Sequence, residues 1–373
     1  MGVAGSIRPT LIAAVFAVAF VGGVRGQDLL EQALRIPMPE AGKSGLEAVM
    51  VRPRDSSAHP LALLNHGSPR DVDQRPEMSA WALIPQAREF ARRGWTTVVV
   101  MRRGYGSSGG SFSEDARGCS AHPNYTGSGK ESAKDLRAAI AYLSSLPEVD
   151  ASRIISVGVS AGGFATAALT ANPPPGLVAA ISFAGGRGSK KPDEVCNPAE
   201  LIDAFAEFGK TSRVPMLWVY ADNDHFFGPQ IAAQFYEAFV KSGGTVSFVR
   251  AAAFRADGHG LFSLAGIPRW TPMVDEFLAG QNLKLRDALL SLPAPPDVRP
   301  PDQLSAAGRK EFSSFLTLPP YKAFAVSSSG HYGYAFARRT EKDARKNADE
   351  HCSDAAPRGD RCAIVNLDPA RSP

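Results

Sequence analysis

The sequence predicts an α/β fold with a mainly parallel sheet and helices on both faces, followed by a small C-terminal α+β domain. Between residues 46 and 278, short apolar runs rich in β-branched side chains alternate with longer stretches of helical periodicity. This alternation is typical of βαβ units. One apolar run also ends in a Gly-x-Ser-x-Gly motif, which a small-residue helical stretch follows directly.

Seven strands and six helices follow from this pattern. Each predicted strand is a run of five to seven mostly apolar residues: 46–52, 61–65, 96–101, 153–159, 178–183, 215–221 and 245–251. The predicted helices lie between these strands and after the last one: 78–93, 128–146, 161–171, 198–209, 229–242 and 271–278. In such sheets the loops at the carboxyl ends of the strands form the ligand crevice.

The Gly-x-Ser-x-Gly motif at residues 158–162 has the pattern of a nucleophile elbow. It places Ser160 at a sharp turn from strand to helix, where a Cβ at Gly158 or Gly162 would crowd the chain. The Ser160 hydroxyl would then stand at the N-terminus of a helix, whose free N–H groups and dipole favour a developing oxyanion. Ser160 is therefore the predicted nucleophile.

A serine nucleophile needs a base, and the base needs a carboxylate that orients it. In this architecture the acid and the base follow the serine in the order Asp, then His. Asp224 comes three residues after the 215–221 strand and is the predicted acid, with Asp222 as the alternative. His259 lies in a loop of small residues after the last strand and is the predicted base.

Two further histidines compete for the role of the base, namely His122 and His225. His225 adjoins the predicted acid in sequence, so Asp224 could not easily orient it. We expect His225 to belong to the pocket wall instead.

The oxyanion hole needs two preorganised N–H donors. Ala161 directly follows the nucleophile and is the first predicted donor. Ser68 is the second, because it follows the 61–65 strand and the His66-Gly67 turn would aim it. We expect His66 to lie near the pocket in a structural role.

The Gly-rich loop after the 96–101 strand is expected to shape the pocket floor, with Arg103 and Tyr105 as its pocket residues. It lacks the Gly-Lys-Ser/Thr ending of a P-loop, which argues against a phosphate cradle. Arg102 and Arg103 either bind a substrate carboxylate or form salt bridges, and the sequence slightly favours the second. The salt-bridge partners expected from the sequence are Asp71, Asp73 and Asp115.

A different unit follows the predicted hydrolytic domain of residues 27–280. Residues 281–318 are rich in Pro and polar groups and are interpreted as a linker. Residues 319–373 contain a predicted hairpin, one helix and a last strand. An even number of cysteines suggests disulfides in an exported protein, and we favour the pairs Cys119–Cys196 and Cys352–Cys362.

Composition narrows the classes of partner. The chain has 373 residues, 44% of them hydrophobic, and a formal net charge of +4. That balance indicates neither nucleic acid nor an anionic membrane as a partner. The cysteine spacing resembles no zinc site, and we expect no metal or organic cofactor.

Residues 1–26 are interpreted as a secretory signal peptide that is cleaved before Gln27. Arg8 precedes an apolar stretch at 11–24, which is short for a membrane span of about 20 residues. The mature protein is thus expected in the periplasm or outside the cell, without a stable membrane span.

Taken in their order, these motifs resemble those of the α/β-hydrolase superfamily, in particular its dienelactone hydrolase-like and prolyl-oligopeptidase-like members. The resemblance covers about residues 46–278 and implies a Ser160/Asp224/His259 triad that works through an acyl-enzyme. The chain departs from dienelactone hydrolases proper, which use a Cys nucleophile, so dienelactone is not a supported substrate.

Three functions therefore compete. The favoured one is an exported serine hydrolase that cleaves small-molecule carboxylic esters. The second is a prolyl-oligopeptidase-like peptidase. The third is a non-catalytic cell-envelope binding protein that acts through basic residues of the C-terminal domain, namely Arg338, Arg339, Lys342, Arg345 and Lys346.

Overall fold

The structure is a computed structural model that describes residues 28–117, 119–120 and 122–368. The predicted signal peptide lies outside the described residues.

The described residues form thirteen strands and eight α-helices, numbered here in chain order. The strands are β1 (Leu29–Ile36), β2 (Leu46–Pro53), β3 (His59–Asn65), β4 (Thr96–Val100), β5 (Val149–Val159), β6 (Leu177–Phe183), β7 (Ser189–Lys191), β8 (Glu194–Val195), β9 (Met216–Ala221), β10 (Val246–Ala251), β11 (Lys322–Ser327), β12 (Tyr332–Ala335) and β13 (Cys362–Asp368). The helices are α1 (Ile84–Arg92), α2 (Tyr125–Leu143), α3 (Ala161–Thr170), α4 (Pro198–Gly209), α5 (Pro229–Lys241), α6 (Ile267–Gly280), α7 (Ala306–Leu316) and α8 (Glu341–Ala355).

Eight strands form one sheet in the order β1-β2-β4-β3-β5-β6-β9-β10. The six strands from β4 to β10 in this order pair in parallel, whereas β1 and β2 add an antiparallel edge. The strand that carries the elbow, β5, lies in the interior of the sheet between β3 and β6. The loops after β3, β5, β6, β9 and β10 therefore leave the same edge of the sheet.

Alternate strand residues supply two separate cores, one on each face of the sheet. In β5, Ile154 packs into the core beside α2 to α5, and Ile155 packs into the core beside α1 and α6. Strands that are buried on both faces need nearly continuous apolar runs, which is why the sequence signals them strongly. The predicted α/β fold with helices on both faces is confirmed.

Strands β1, β7 and β8 and helix α7 were not anticipated from the sequence. Strand β1 pairs antiparallel with β2 over its whole length, yet only two of its eight residues are buried and its polar residues interrupt the alternation. Helix α7 lies within residues 281–318, so the linker interpretation is corrected for this stretch. Its Phe312 and Phe315 are buried in a core with Phe324 of β11.

The C-terminal unit is a three-stranded antiparallel sheet in the order β12-β11-β13, with α8 packed on it. It contacts the larger unit through specific groups. Arg88 of α1 donates to the carbonyl of Thr317 over 3.0 Å, and the rings of Trp81 and Tyr321 lie 6.0 Å apart. Two basic residues of α8 are paired locally, Arg345 with Glu341 and Lys346 with Glu350.

Both favoured disulfide pairings are present in the structure, Cys119–Cys196 and Cys352–Cys362. The first joins the loop before α2 to the loop before α4, and the second joins α8 to β13. Among the helices that the structure describes, none has the length and apolarity to cross a membrane.

Candidate active site

Ser160 sits at the turn between β5 and α3 with a backbone φ of 55° and ψ of −121°. A positive φ is unusual for a residue with a side chain, and strain of this kind marks nucleophile elbows. A Cβ on Gly158 would lie 2.1 Å from the carbonyl oxygen of Gly162, and one on Gly162 would lie 2.3 Å from that of Asn65. The two glycines of the motif are therefore required by close backbone approach.

The Ser160 hydroxyl makes no capping hydrogen bond to α3, although Ser160 is the N-cap residue. Its backbone is fixed instead, because its N–H donates to Phe183 and its carbonyl accepts from Phe164 and Gly186. The strained backbone is thus held on both sides while the hydroxyl stays available for chemistry.

Asp224 lies in the loop after β9 and is 2% exposed. Its Oδ1 accepts the backbone N–H groups of Phe226 and Phe227 over 2.7 and 2.9 Å. Both carboxylate oxygens also lie 3.1 Å from Nδ1 of His259. A buried carboxylate held in this way fixes the proton of His259 on Nδ1 and leaves Nε2 free as an acceptor.

The loops that carry the acid and the base are joined to one another. Asp257 accepts the backbone N–H of His259 over 2.9 Å and that of His225 over 3.1 Å. Gly258 donates to the carbonyl of Asn223 over 2.9 Å. The ring of Phe226 stacks on His259 with centroids 3.8 Å apart and an angle of 12°. The imidazole is therefore oriented by a bond at one edge and by packing on its face.

The residues that competed for the roles of acid and base have other partners. Asp222 is largely exposed and pairs with Arg250 over 2.7 Å. His122 is 86% exposed beside Glu200, and His225 pairs with Asp193 over 3.0 Å. The bond to Asp193 raises the pKa of His225 above its ordinary value.

Two cavities meet at Ser160. The His259 cavity, of about 500 Å³, is lined by Ser160 and His259 together with Gly67, Ser68, Pro69, Arg70, Asp71, Gln74, Met78, Val159 and Phe226. The Arg187 cavity, of about 310 Å³, is lined by Ser160 and Ala161 together with Ser68, Pro69, Arg70, Arg75, Phe112, Glu114, Asp115, Ala116, Cys119, Tyr125, Gly186, Arg187, Gly188, Ser189, Lys190, Cys196, Phe226 and Phe227.

The two predicted oxyanion donors both border the nucleophile. Ala161 is the first residue of α3, and Ser68 lines both cavities together with Ser160. A Cβ built on Gly67 would lie 3.1 Å from Cβ of Ser160, which places the 67–68 peptide against the elbow.

The four predicted pocket residues, His66, Arg103, Tyr105 and His225, line neither cavity. His66 is buried beneath the loop: its Nδ1 contacts the carbonyl of Gly67 and its Nε2 accepts the N–H of Arg102 over 3.1 Å. Burial, followed by the charge of Arg102, lowers the pKa of His66 well below its ordinary value. The neutral ring supports the turn before Ser68.

The arginines of the 102–103 pair have other partners than the sequence suggested. Arg102 pairs with buried Glu114, and Arg103 pairs with Asp135 over 2.7 Å and with Glu131 over 3.0 Å. The alternative that favoured salt bridges was therefore right in kind, but the partners Asp71, Asp73 and Asp115 were wrong.

Glu114 is the centre of a buried cluster beside the Arg187 cavity. Its carboxylate accepts from the guanidinium groups of Arg102 and Arg187 and from the Tyr105 hydroxyl, the last over 3.1 Å. Burial alone would raise the pKa of Glu114, but the charges of Arg102 and Arg187 outweigh it and hold the pKa well below its ordinary range. Nothing in the sequence marked this residue, since it lies in an irregular loop.

We expect Glu114→Gln to destabilise the protein by about 3–5 kcal/mol, because it leaves two buried guanidinium charges without their shared carboxylate. Chemical denaturation at neutral pH measures this change. The matched control is Glu131→Gln, which removes an acid that is 44% exposed and is expected to cost less than about 1 kcal/mol.

The contribution of Glu114 to the free energy of unfolding should depend on pH. The folded-state pKa of Glu114 is depressed, so its contribution is complete at pH values above the unfolded-state pKa of about 4.3. It is lost as the pH falls from there towards the folded-state pKa, and the difference between wild type and Glu114→Gln should shrink in acid. A constant difference from neutral to acid pH would contradict the assigned pairing.

Part of the chain matches a known family. Residues 42–192 match the model of the X-Pro dipeptidyl-peptidase (S15 family). No curated protein gives a significant match.

Within the described ranges, no three His, Cys, Asp or Glu residues are grouped so that they could hold a metal ion.

Several solved structures are similar to this chain over part of its length. A candidate dipeptidyl aminopeptidase IV from Bacteroides ovatus is 17% identical with a TM-score of 0.50, covering 69% of this chain and 36% of that one. An acylaminoacyl peptidase from Pyrococcus horikoshii is 16% identical with a TM-score of 0.49, covering 72% and 44%. Esterase 2 from Thermogutta terrifontis is 18% identical with a TM-score of 0.48, covering 69% and 96%.

The chain thus spans less than half of the length of these two peptidases and nearly all of the esterase. At such identities the likeness concerns the fold and leaves the reaction to be argued from the site. The chain is an α/β-hydrolase-fold protein, and residues 42–192 are similar to the S15 family of X-Pro dipeptidyl-peptidases.

Proposed function

We propose that the protein is an exported serine hydrolase that cleaves carboxylic esters through an acyl-enzyme. The observation that carries this proposal is the arrangement around Ser160: a strained serine shares a cavity with His259, and Nδ1 of His259 contacts the buried Asp224. This set combines a nucleophilic hydroxyl that lines a cavity, a base and a carboxylate that orients the base.

In the proposed first step, Oγ of Ser160 attacks the ester carbonyl carbon while Nε2 of His259 takes the hydroxyl proton. The negative charge moves to the carbonyl oxygen, where the N–H groups of Ala161 and Ser68 would stabilise it. Asp224 stabilises the imidazolium that forms. The tetrahedral intermediate then collapses, the bond to the alkoxy oxygen breaks, and His259 gives its proton to the leaving alcohol.

In the second step, a water molecule takes the place of the alcohol. His259 removes its proton, the resulting hydroxide attacks the acyl-enzyme carbonyl, and collapse returns the proton to Oγ of Ser160. The products are the carboxylic acid and the free enzyme. Neither of the two reaction steps requires an oxidant, a reductant or a cofactor.

A second candidate is a peptidase, which the match to the X-Pro dipeptidyl-peptidase model favours. Release of a dipeptide requires recognition of the substrate's free ammonium group, for which a protein supplies carboxylates. Glu114 and Asp115 are the acids on the wall of the Arg187 cavity, and Glu114 already serves two arginines. This charge distribution favours esters over substrates with an N-terminal ammonium.

Binding through the C-terminal unit receives less support. Arg345 and Lys346 of α8 pair with acids one turn away, and Arg339 donates to the carbonyl of Pro76 in the larger unit.

Export is proposed from the sequence of residues 1–26, and the two disulfides are consistent with an oxidising compartment.

Labelling with a fluorophosphonate tests the proposal, because such probes react with activated serines. We expect stoichiometric labelling of the native protein, with the phosphonate on the peptide that contains Ser160 by mass spectrometry. Heat-unfolded protein is the control, since activation depends on the folded triad. Modification at another serine, or equal labelling of folded and unfolded protein, would contradict the assigned nucleophile.

A substrate panel then separates the candidates. We expect turnover of 4-nitrophenyl esters of short and medium acids and none of X-Pro 4-nitroanilides, which carry the free ammonium. Cleavage of the anilides with a higher kcat/KM than the esters would favour the peptidase.

A further inference from the structure

The position of His259 distinguishes the two sides of the proposed reaction centre. The leaving alcohol must receive its proton from His259, so it departs on the side where His259 lies. His259 lines the His259 cavity and is absent from the wall of the Arg187 cavity, which holds Ala161 instead. If the proposed function holds, the Arg187 cavity is therefore the side that receives the acyl group.

The wall of the Arg187 cavity has more cations than anions. Its basic residues are Arg70, Arg75, Arg187 and Lys190, and its acids are Glu114 and Asp115. Glu114 adds no free negative charge, because Arg187 and the neighbouring Arg102 both donate to it. Asp115 is exposed, and its carboxylate accepts the backbone N–H of Arg117 over 2.7 Å.

Among the described residues, Arg75 is one of two cations of this wall without a salt bridge to an acid, since Arg187 pairs with Glu114 and Lys190 with Glu194. Its guanidinium lies 3.7 Å from the ring centroid of Phe112, and its Nε is buried without a hydrogen-bond partner. None of the salt bridges among the described residues includes Arg75. A half-buried guanidinium that has no salt bridge and lines the same cavity as Ser160 is suited to a carboxylate, which it can bind with two parallel hydrogen bonds.

Arg70 is a second cation of the same cavity wall. It stacks 3.4 Å above Phe226, and its donors bind the Ser189 hydroxyl and the His225 carbonyl, which are both neutral. Its positive charge is therefore uncompensated by a carboxylate as well. Aromatic stacking on Phe226 and Phe112 holds both guanidinium groups in place without neutralising them.

From these contacts we infer that the substrate carries an anionic group, a carboxylate, on its acyl part, and that Arg75 with Arg70 binds it. The preferred substrates are then half-esters of dicarboxylic acids, whose free carboxylate enters the Arg187 cavity while the ester carbonyl lies at Ser160. The inference rests on the proposed esterase function and adds the class of acyl group.

Kinetics on a matched pair of substrates tests it. The 4-nitrophenyl half-ester of adipic acid carries the carboxylate, and the 4-nitrophenyl ester of adipic monoamide is its neutral isostere. We expect kcat/KM of the wild type to be about ten- to a hundredfold higher for the acid, the range for a charge-assisted hydrogen bond. Added salt should reduce this ratio.

Three variants locate the effect. Arg75→Met should bring the ratio of the two kcat/KM values close to one, and Arg75→Lys should keep part of the preference because it keeps the charge. Arg153→Met is the matched control: Arg153 is an exposed arginine of β5, paired with Asp150, in the strand residues before the elbow. It should retain the wild-type ratio. A folding defect would lower both rates together and leave the ratio unchanged.

The outcomes separate this inference from the proposed function. Turnover of the neutral ester with a ratio of one or less in the wild type would overturn the anionic acyl site and leave the esterase intact. A wild-type preference that survives in an Arg70→Met/Arg75→Met double variant would overturn the assignment to these residues. Absence of both fluorophosphonate labelling and ester turnover would overturn the proposed function itself.

Discussion

Replacing Ser160 by alanine is expected to lower kcat for ester hydrolysis by about 10⁶, the loss known for removing a serine nucleophile from an intact triad. The residual rate would come from oxyanion stabilisation and substrate binding, which the variant retains. The measurement is the steady-state hydrolysis of a 4-nitrophenyl ester, with active sites of the wild type counted by the burst of 4-nitrophenol.

The control must separate chemistry from folding. Ser152→Ala changes an exposed serine of the same strand, whose hydroxyl bonds to Asp150, and should keep the wild-type rate. Thermal unfolding of Ser160→Ala should resemble that of the wild type, because its hydroxyl makes no capping bond that the substitution would remove. A fall in kcat of less than about tenfold would show that another group is the nucleophile.

The parts of the site that were predictable from the sequence are those with a local signal. A continuous apolar run reports a strand that is buried on both faces, and Ile154 and Ile155 do pack into opposite cores. The glycines around Ser160 indicate close backbone contacts. A Cβ on Gly158 or Gly162 would indeed lie too close to the carbonyl oxygen of Gly162 or Asn65, respectively. The positions of Asp224 and His259 followed from the ends of their strands.

The cavity walls had no such signal. Glu114 and Arg187 lie in irregular loops and Arg75 lies in the short 3-10 helix Val72–Glu77. The neighbours of all three are set by tertiary packing rather than by spacing along the chain. For Arg103 the sequence offered nearby aspartates, whereas its partner Asp135 is on α2. A loop charge can pair with any acid that the fold brings near, so the kind of interaction was predictable and the partner was not.

Strand β1 and helix α7 were missed for a different reason. Both have a limited apolar face: in β1 only Leu29 and Ile36 are fully buried, and α7 contributes few buried side chains, Phe312 and Phe315 among them. Each element is stabilised by its partner, β2 or β11, more than by its own pattern. Where stability comes from pairing with a distant segment, local periodicity is weak.

The substitution Asp224→Asn is expected to lower kcat by about 10⁴ with little change in structure. The asparagine carbonyl can replace Oδ1 and keep the bonds from the N–H groups of Phe226 and Phe227. Its amide group would then face Nδ1 of His259 as a donor, which moves the imidazole proton to Nε2 and leaves no acceptor for the Ser160 proton. The activity is therefore lost because His259 adopts the wrong tautomer. We expect kcat to fall and KM to change little.

Asp222→Asn is the matched comparison, because it makes the same chemical change two residues earlier on a carboxylate that pairs with exposed Arg250. An exposed ion pair of this kind contributes at most about 1 kcal/mol, so neither stability nor kcat should change much. Equal losses in the two variants would mean that the loop as a whole, and not the carboxylate of Asp224, determines the activity. A large loss of kcat in Asp222→Asn alone would mean that Asp222, and not Asp224, is the acid of the triad. The predicted asymmetry follows from burial, since only the carboxylate that is shielded from water holds His259 in one tautomer.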